Sequence, residues 1–333
     1  MTLMMGTFIS ISSYSWLGTW MGLEINLLSF IPLMNDNKFM LTEASMKYFL
    51  IQSLSSTIFL FSIIINMLNM HFISDFLQNN FILLIMNSSL LMKMGSAPFH
   101  FWFPELMEEL NWNNNLILMT WQKIAPMILI SYSISNKINL YLFMTTIIMS
   151  AIIGSIQGLN QINLQKIMAY SSINHIAWMI SALMINLYIW KIYFMIYSFL
   201  LMTIIFFFNY FNIYYLKQIY SMMNYNMLMK LAISINLLSL GGLPPFLGFL
   251  PKWLIIQMFL NLNNIFIIFI LLMTSLITLY FYMRIIISSM ILNSVNLNFF
   301  YSMNKNYLNN VYLFIYTFIC VSSLILTTMF LNL

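Results

Sequence analysis

The sequence predicts an all-α, polytopic membrane helix bundle, and three observations predict it. Of 333 residues, 62% are hydrophobic and 6% charged, whereas a soluble domain is about one quarter charged. A surface so poor in charge must face lipid or partner subunits. Apolar runs near the roughly 20 residues that cross a bilayer recur along the chain, separated by short polar connections. Lipid offers no water to backbone amides and carbonyls, so such runs fold as helices.

In order, eleven spans are expected, at about 2–19, 21–37, 43–68, 77–102, 112–134, 138–158, 166–189, 193–216, 226–260, 264–288 and 308–331. The second is short, and the ninth is long and interrupted. Polar stretches such as NDNK at 35–38 and NWNNN at 111–115 make the connections, with the longest at 289–307. No linker divides the chain, so residues 1–333 read as a single transmembrane domain.

The charge balance, 12 basic against 7 acidic residues, is too sparse for a nucleic-acid footprint and fits topology control. Lys38, Lys47, Lys166, Lys217, Lys230, Arg284 and Lys305 fall on the side of the N-terminus, with chiefly Lys137 and Lys191 opposite. Positive residues stay on the side of synthesis, which predicts an N-terminus facing the cytoplasm or matrix. The lone Cys320 excludes an internal disulfide framework or a cysteine-ligated cluster. The first residues lack a positive n-region and do not read as a signal peptide. Abundant Met, Asn, Ile, Phe and Tyr, with Val only at 295, 311 and 321, fit an AT-rich gene.

Two spans carry breaks. In KMGSAPFHFWFPEL, Pro98 lacks an amide donor and Gly95 loosens the same turn. In SLGGLPPFLGFLPKW, Gly241, Gly242, Pro244, Pro245, Gly248 and Pro251 cannot form an unbroken helix. Broken helices at membrane depth line protein or aqueous cavities and often mark ion paths.

The ionisable residues lie beside these breaks. Lys93 precedes the first, Lys252 directly follows Pro251 in the second, and Lys123 lies near the middle of its span. A charged lysine at a helix centre costs about 2.5–3.5 kcal/mol on insertion scales. It must pair with an anion, contact water or exchange its proton, so these three are candidate proton carriers. Glu24, three residues into the second span, is either an interfacial carboxylate or a titrating partner of a lysine. His100 and His175 are either hydrogen-bonded bundle residues or relays. Glu108 and Glu109 fit an amphipathic headgroup segment, with Glu105 nearer a channel mouth. No phosphate loop, dinucleotide fingerprint or metal-ligand spacing is present, so hydride and electron chemistry lie outside this chain.

WMGLEINLLSFIPLM at 20–34, TEASMKYFLIQ at 42–52, LLMKMGSAPFHFWFPEL at 90–106, TWQKIAPM at 120–127, LNQINLQKIMAYSSINHIAWM at 159–179, LSLGGLPPFLGFLPKW at 238–253 and LYFYMR at 279–284 carry a resemblance in the same order and spacing. They resemble the antiporter-like second-subunit family of animal mitochondrial NADH–ubiquinone oxidoreductase, respiratory complex I, in its arthropod form. The resemblance implies eleven spans and a place in the membrane arm. It puts the family's essential glutamate at Glu24 and its membrane lysines at Lys93, Lys123 and Lys252. It implies partner subunits, antiporter-like and small, lipid contacts and the mitochondrial inner membrane, with no nucleic acid. No cofactor is expected in this chain; NADH, FMN, iron–sulfur clusters and ubiquinone belong to other subunits. Proton translocation coupled to electron transfer is the implied role. The alternatives are a bracing subunit without proton flux and a free-standing cation/proton antiporter.

Overall fold

With lipid as solvent, every backbone polar group must be satisfied within its own segment, and the described residues fold as helices joined by short connections. The computed structural model describes residues 1–35, 39–69, 76–134, 137–223 and 227–291. Lys38, His71, Lys305, Cys320 and the expected span 308–331 lie outside the described residues, as does the side chain of Lys137. The helices are α1 (Thr2–Ser12), α2 (Trp16–Met34), α3 (Phe39–Asn69), α4 (Phe76–Met94), α5 (Trp102–Glu109), α6 (Trp112–Met119) and α7 (Trp121–Ser133). They continue with α8 (Lys137–Gly158), α9 (Leu164–Ile185), α10 (Leu187–Tyr210), α11 (Leu216–Met223), α12 (Met227–Gly241), α13 (Phe249–Asn261) and α14 (Ile265–Ile291).

Six of the described helices combine the length and hydropathy needed to cross a bilayer: α2, α9, α10 and the greater parts of α3, α8 and α14. Helix α9 is the axis of the bundle. Along its apolar window 89% of residues are buried, against 39–50% for the other five. A helix buried on all sides needs no polar face, and α9 packs against α5, α6, α7, α8, α10, α13 and α14. Where α8 passes α9, a Cβ on Gly154 would lie 2.7 Å from the Asn174 amide, so the absence of a side chain permits the close crossing.

Several expected boundaries are corrected. The span expected at 2–19 ends at Ser12, because Ser15 caps α2 by accepting from the Gly18 amide at 3.2 Å. Eleven helical residues rise roughly 16 Å, about half a hydrocarbon core. The run expected at 77–102 stops at Met94, and α5 forms separately. Gly95, at φ +70°, takes the left-handed conformation that ends helices. The run expected at 112–134 is bent at Thr120, between α6 and α7. No Gly or Pro marks that bend in the sequence. Helices α9 and α10 meet at Asn186, whose side chain accepts from the Tyr188 amide at 3.1 Å. Lys191 therefore lies inside α10, not in a connection. The short helix α11 between α10 and α12 was not expected. The second break occurs where the sequence places it, between α12 and α13.

Candidate functional site

Three lysines among the described residues are buried inside an apolar bundle: Lys93 (8% exposed), Lys123 (1%) and Lys252 (5%). Among the described residues the ion pairs within 4.0 Å are Lys47–Glu43, Lys47–Glu109 and Lys166–Glu108. None involves the three buried lysines, which are held by carbonyls, hydroxyls and ring faces.

Lys93 occupies the last turn of α4, where the helix dipole favours a cation. The Ser96 amide and hydroxyl both donate to the Leu91 carbonyl, at 3.2 and 3.0 Å, and close the helix end. Its own carbonyl accepts from Gln52 Nε2 at 3.3 Å. The amine lies 6.0 Å from the centre of the Phe59 ring. A cavity about the size of one water adjoins it, lined by Asn26, Tyr48, Gln52, Gln122 and Pro126 among others. Gln122 donates to Asn26 Oδ1 at 3.1 Å and so ties α7 to α2 across this cavity. Glu24 is partly exposed on α2 and interacts with Lys93 through charge rather than as a contact pair.

Lys123 lies just past the Thr120 bend, and Pro126, one turn on, brings no amide to the ladder. Its amine donates to Tyr197 Oη at 3.4 Å. The rings of Phe103 and Tyr197 flank it, each with its centre at 5.4 Å. Phe103 also packs on Gly95; a Cβ there would meet Phe103 Cβ at 3.0 Å. The first break thus seats one wall of the Lys123 site.

Lys252 reaches back across the second break. Its amine donates to the Gly241 carbonyl at 2.8 Å, capping the negative end of α12. The centre of the Trp178 ring lies 5.7 Å away. Gly242 has φ +81°, and a Cβ on it would fall 2.9 Å from the Lys252 amine. Gly248 is forced as well, since its Cβ would lie 1.7 Å from the Ser239 carbonyl oxygen. Pro244 and Pro245 form the exposed outer turn. Pro251 sits in the first turn of α13, where a missing amide costs nothing, so it starts a helix rather than breaking one.

His175 joins the Lys123 site through Tyr197, whose ring packs on both. It projects from α9, and both lysines act on it through charge. Its Nδ1 lies 2.8 Å from Tyr193 Oη, and its ring packs on Tyr197 with centres 4.9 Å apart. Tyr193 and Tyr197, one turn apart on α10, therefore clasp His175. Sequence reading singled out neither tyrosine. The available signal was their i, i+4 spacing within an otherwise apolar helix.

His100 is buried in the segment after α4, with Nδ1 3.3 Å from the Pro98 carbonyl and Nε2 3.3 Å from Gln157 Oε1. Pro98 itself is exposed, and the Ala97–Pro98 bond is cis. Glu105 is exposed in the first turn of α5 and forms no ion pair among the described residues. Glu108 and Glu109, expected in a headgroup segment, both make ion pairs. Glu109 holds Lys47 of α3 at 2.8 Å, while Glu108 holds Lys166 and Asn163 at the start of α9. No group of three or more His, Cys, Asp or Glu that could hold a metal occurs among the described residues.

An all-α bundle with an ionisable interior and interrupted helices defines a polytopic membrane protein built around charge-bearing groups. A family model described as the transmembrane part of NADH:quinone oxidoreductase/Mrp antiporter matches residues 13–278. NADH-ubiquinone oxidoreductase chain 2 of Anopheles gambiae is 50% identical over 329 residues, covering 98% of this chain and 95% of the relative. That of Aedes aegypti is 52% identical over 330 residues, with the same coverage. The chain belongs to the NADH:quinone oxidoreductase/Mrp antiporter family and, within it, groups with NADH-ubiquinone oxidoreductase chain 2. Solved structures share the fold. Respiratory complex I from Thermus thermophilus with bound aureothin contains a chain matching at TM-score 0.78 and 22% identity, covering 86% of this chain and 69% of that one. An archaeal membrane-bound sulfane sulfur reductase contains one at TM-score 0.81 and 17% identity, covering 99% and 72%.

Proposed function

We propose that this chain is a membrane-arm subunit of the proton-translocating NADH:ubiquinone oxidoreductase of the mitochondrial inner membrane. It carries protons while other subunits, holding NADH, FMN, iron–sulfur clusters and ubiquinone, perform the redox steps. Residues 1–333 act as one antiporter-like domain of eleven spans, with the N-terminus in the matrix and neighbouring membrane-arm subunits and lipids around it. The observation that carries the reading is the burial of Lys93, Lys123 and Lys252 with no carboxylate in contact among the described residues. Such an arrangement is costly unless the amines exchange protons.

Glu24 and Lys93 form the input pair in this reading. Approach and withdrawal of the carboxylate couples to proton binding and release at the amine. Lys123 is the central carrier. Lys252, on the Gly241 carbonyl, passes the proton toward the outlet or the next antiporter-like subunit. The groups titrate as a set rather than singly.

The test is Lys123→Met in the assembled oxidoreductase, reconstituted in sealed vesicles, with quinone reduction and proton pumping measured together. The expected outcome is loss of pumping with slowed coupled turnover. Normal values for both in a normally assembled complex would show that the site carries no protons.

A further inference from the structure

Resting on the proton-carrying role of Lys123, we propose that the Tyr197 hydroxyl is the group through which Lys123 hands its proton to His175. Four observations lead there. Tyr197 Oη is the hydrogen-bond acceptor of the Lys123 amine, at 3.4 Å among the described residues. Tyr197 is 2% exposed and Lys123 1% exposed, so bulk water does not compete at the contact. The Tyr197 ring stacks at a tilt on His175 with centres 4.9 Å apart. Tyr193, one turn earlier on α10, binds His175 Nδ1 at 2.8 Å and holds the imidazole toward Tyr197.

The step balances as a double exchange. One proton leaves the Lys123 ammonium for the Tyr197 oxygen while the phenol proton leaves for His175 Nε2, directly or through one water. Lys123 ends neutral and His175 ends as imidazolium. Tyr197 is a neutral phenol before and after, as a hydroxyl that both donates and accepts allows. The tautomer this needs has Nδ1–H donating to Tyr193 Oη and a free lone pair on Nε2. Tyr193 is thus a positioning residue, and Tyr197 the one that touches the proton.

The groups facing this relay are Lys123 from α7, Ser172 and His175 from α9, Tyr193 from α10, Lys252 from α13 and Tyr282 from α14. Tyr282 is 1% exposed. Its ring lies beside Gly241, at 3.6 Å from where a Cβ would sit, and Gly241 holds the Lys252 amine.

Tyr197→Phe keeps the ring that flanks Lys123 and removes only the hydroxyl. In the assembled complex in sealed vesicles, coupled turnover and pumping should fall together by about tenfold or more. The solvent deuterium isotope effect on pumping should change, which loss of packing alone would not cause. Tyr193→Phe should assemble and shift the pH profile of pumping, because the imidazole loses its fixed tautomer. If Tyr197→Phe fails to assemble, Tyr197→His decides: pumping retained supports the relay, and assembly without pumping overturns it. Lys123→Met is run in parallel. Normal pumping in that variant overturns the underlying role of the site. Lost pumping there, with wild-type pumping and isotope effect in Tyr197→Phe, overturns the tyrosine relay alone.

Discussion

Replacing Gly242 with alanine should undock Lys252 from the second helix break, whereas replacing the adjacent Gly241 should not. At Gly242 a new Cβ would lie 2.9 Å from the Lys252 amine and 3.0 and 3.1 Å from its Cδ and Cε. The lysine end is flexible and would move, leaving the Gly241 carbonyl it now binds at 2.8 Å. A hydrogen bond to a charged group is worth about 1.5–3 kcal/mol. An L-residue held at the +81° φ of Gly242 adds roughly 1–2 kcal/mol. The hydrogen bond sets the docking equilibrium, so its loss is roughly a ten- to hundredfold shift away from the docked arrangement, while the backbone strain lowers the stability of the break as a whole. At Gly241 the added Cβ would meet Leu279 and Tyr282 at 3.6 Å, ordinary contact, and alanine there should be tolerated. The assay is proton pumping per NADH oxidised in sealed vesicles, with thermal stability of the assembled complex in parallel. Equal pumping in the two variants would refute the view that Gly242 seats Lys252.

Three further outcomes follow from the same geometry. Glu24→Gln should alter pumping over a wide pH range by removing the charge coupled to Lys93; unchanged pumping over that range would count against the coupling. Glu109→Gln should weaken the hold of α5 on α3 by about 0.5–1 kcal/mol, because the Lys47 contact is partly exposed. Faster hydrogen exchange across residues 102–109 with unchanged pumping per NADH is the expected readout. Gly22→Ala should force α1 from α2, since a Cβ would lie 2.5 Å from the Ser10 amide nitrogen. Overpacking of this kind costs about 1–3 kcal/mol, visible as reduced assembly.

The adjacent glycines show where sequence reading stops. Both looked like helix breakers in SLGGLPPFLGFLPKW, and the break is where they predict it. Only packing separates Gly241, a helix end whose carbonyl binds an amine, from Gly242, a left-handed residue that leaves room for that amine. Pro251 shows the converse: it reads as a breaker but sits in a helical first turn. The Thr120 bend had no local signal, because neither Gly nor Pro marks it.

Composition and the length of apolar runs determined the membrane class and the all-helical fold, because lipid forbids unpaired backbone and tolerates few charges. They also made Lys93, Lys123 and Lys252 conspicuous, since charge is costly wherever an apolar run surrounds it. Which side chains meet those amines was decided only by tertiary structure. Tyr197 is 74 positions from Lys123, and Tyr193 is 18 from His175. Contacts across helices depend on crossing angle and rotation, which no stretch of one helix encodes alone. That the three lysines are buried without a contacting carboxylate among the described residues, with Tyr197 packed on both Lys123 and His175, is likewise a property of the packed bundle.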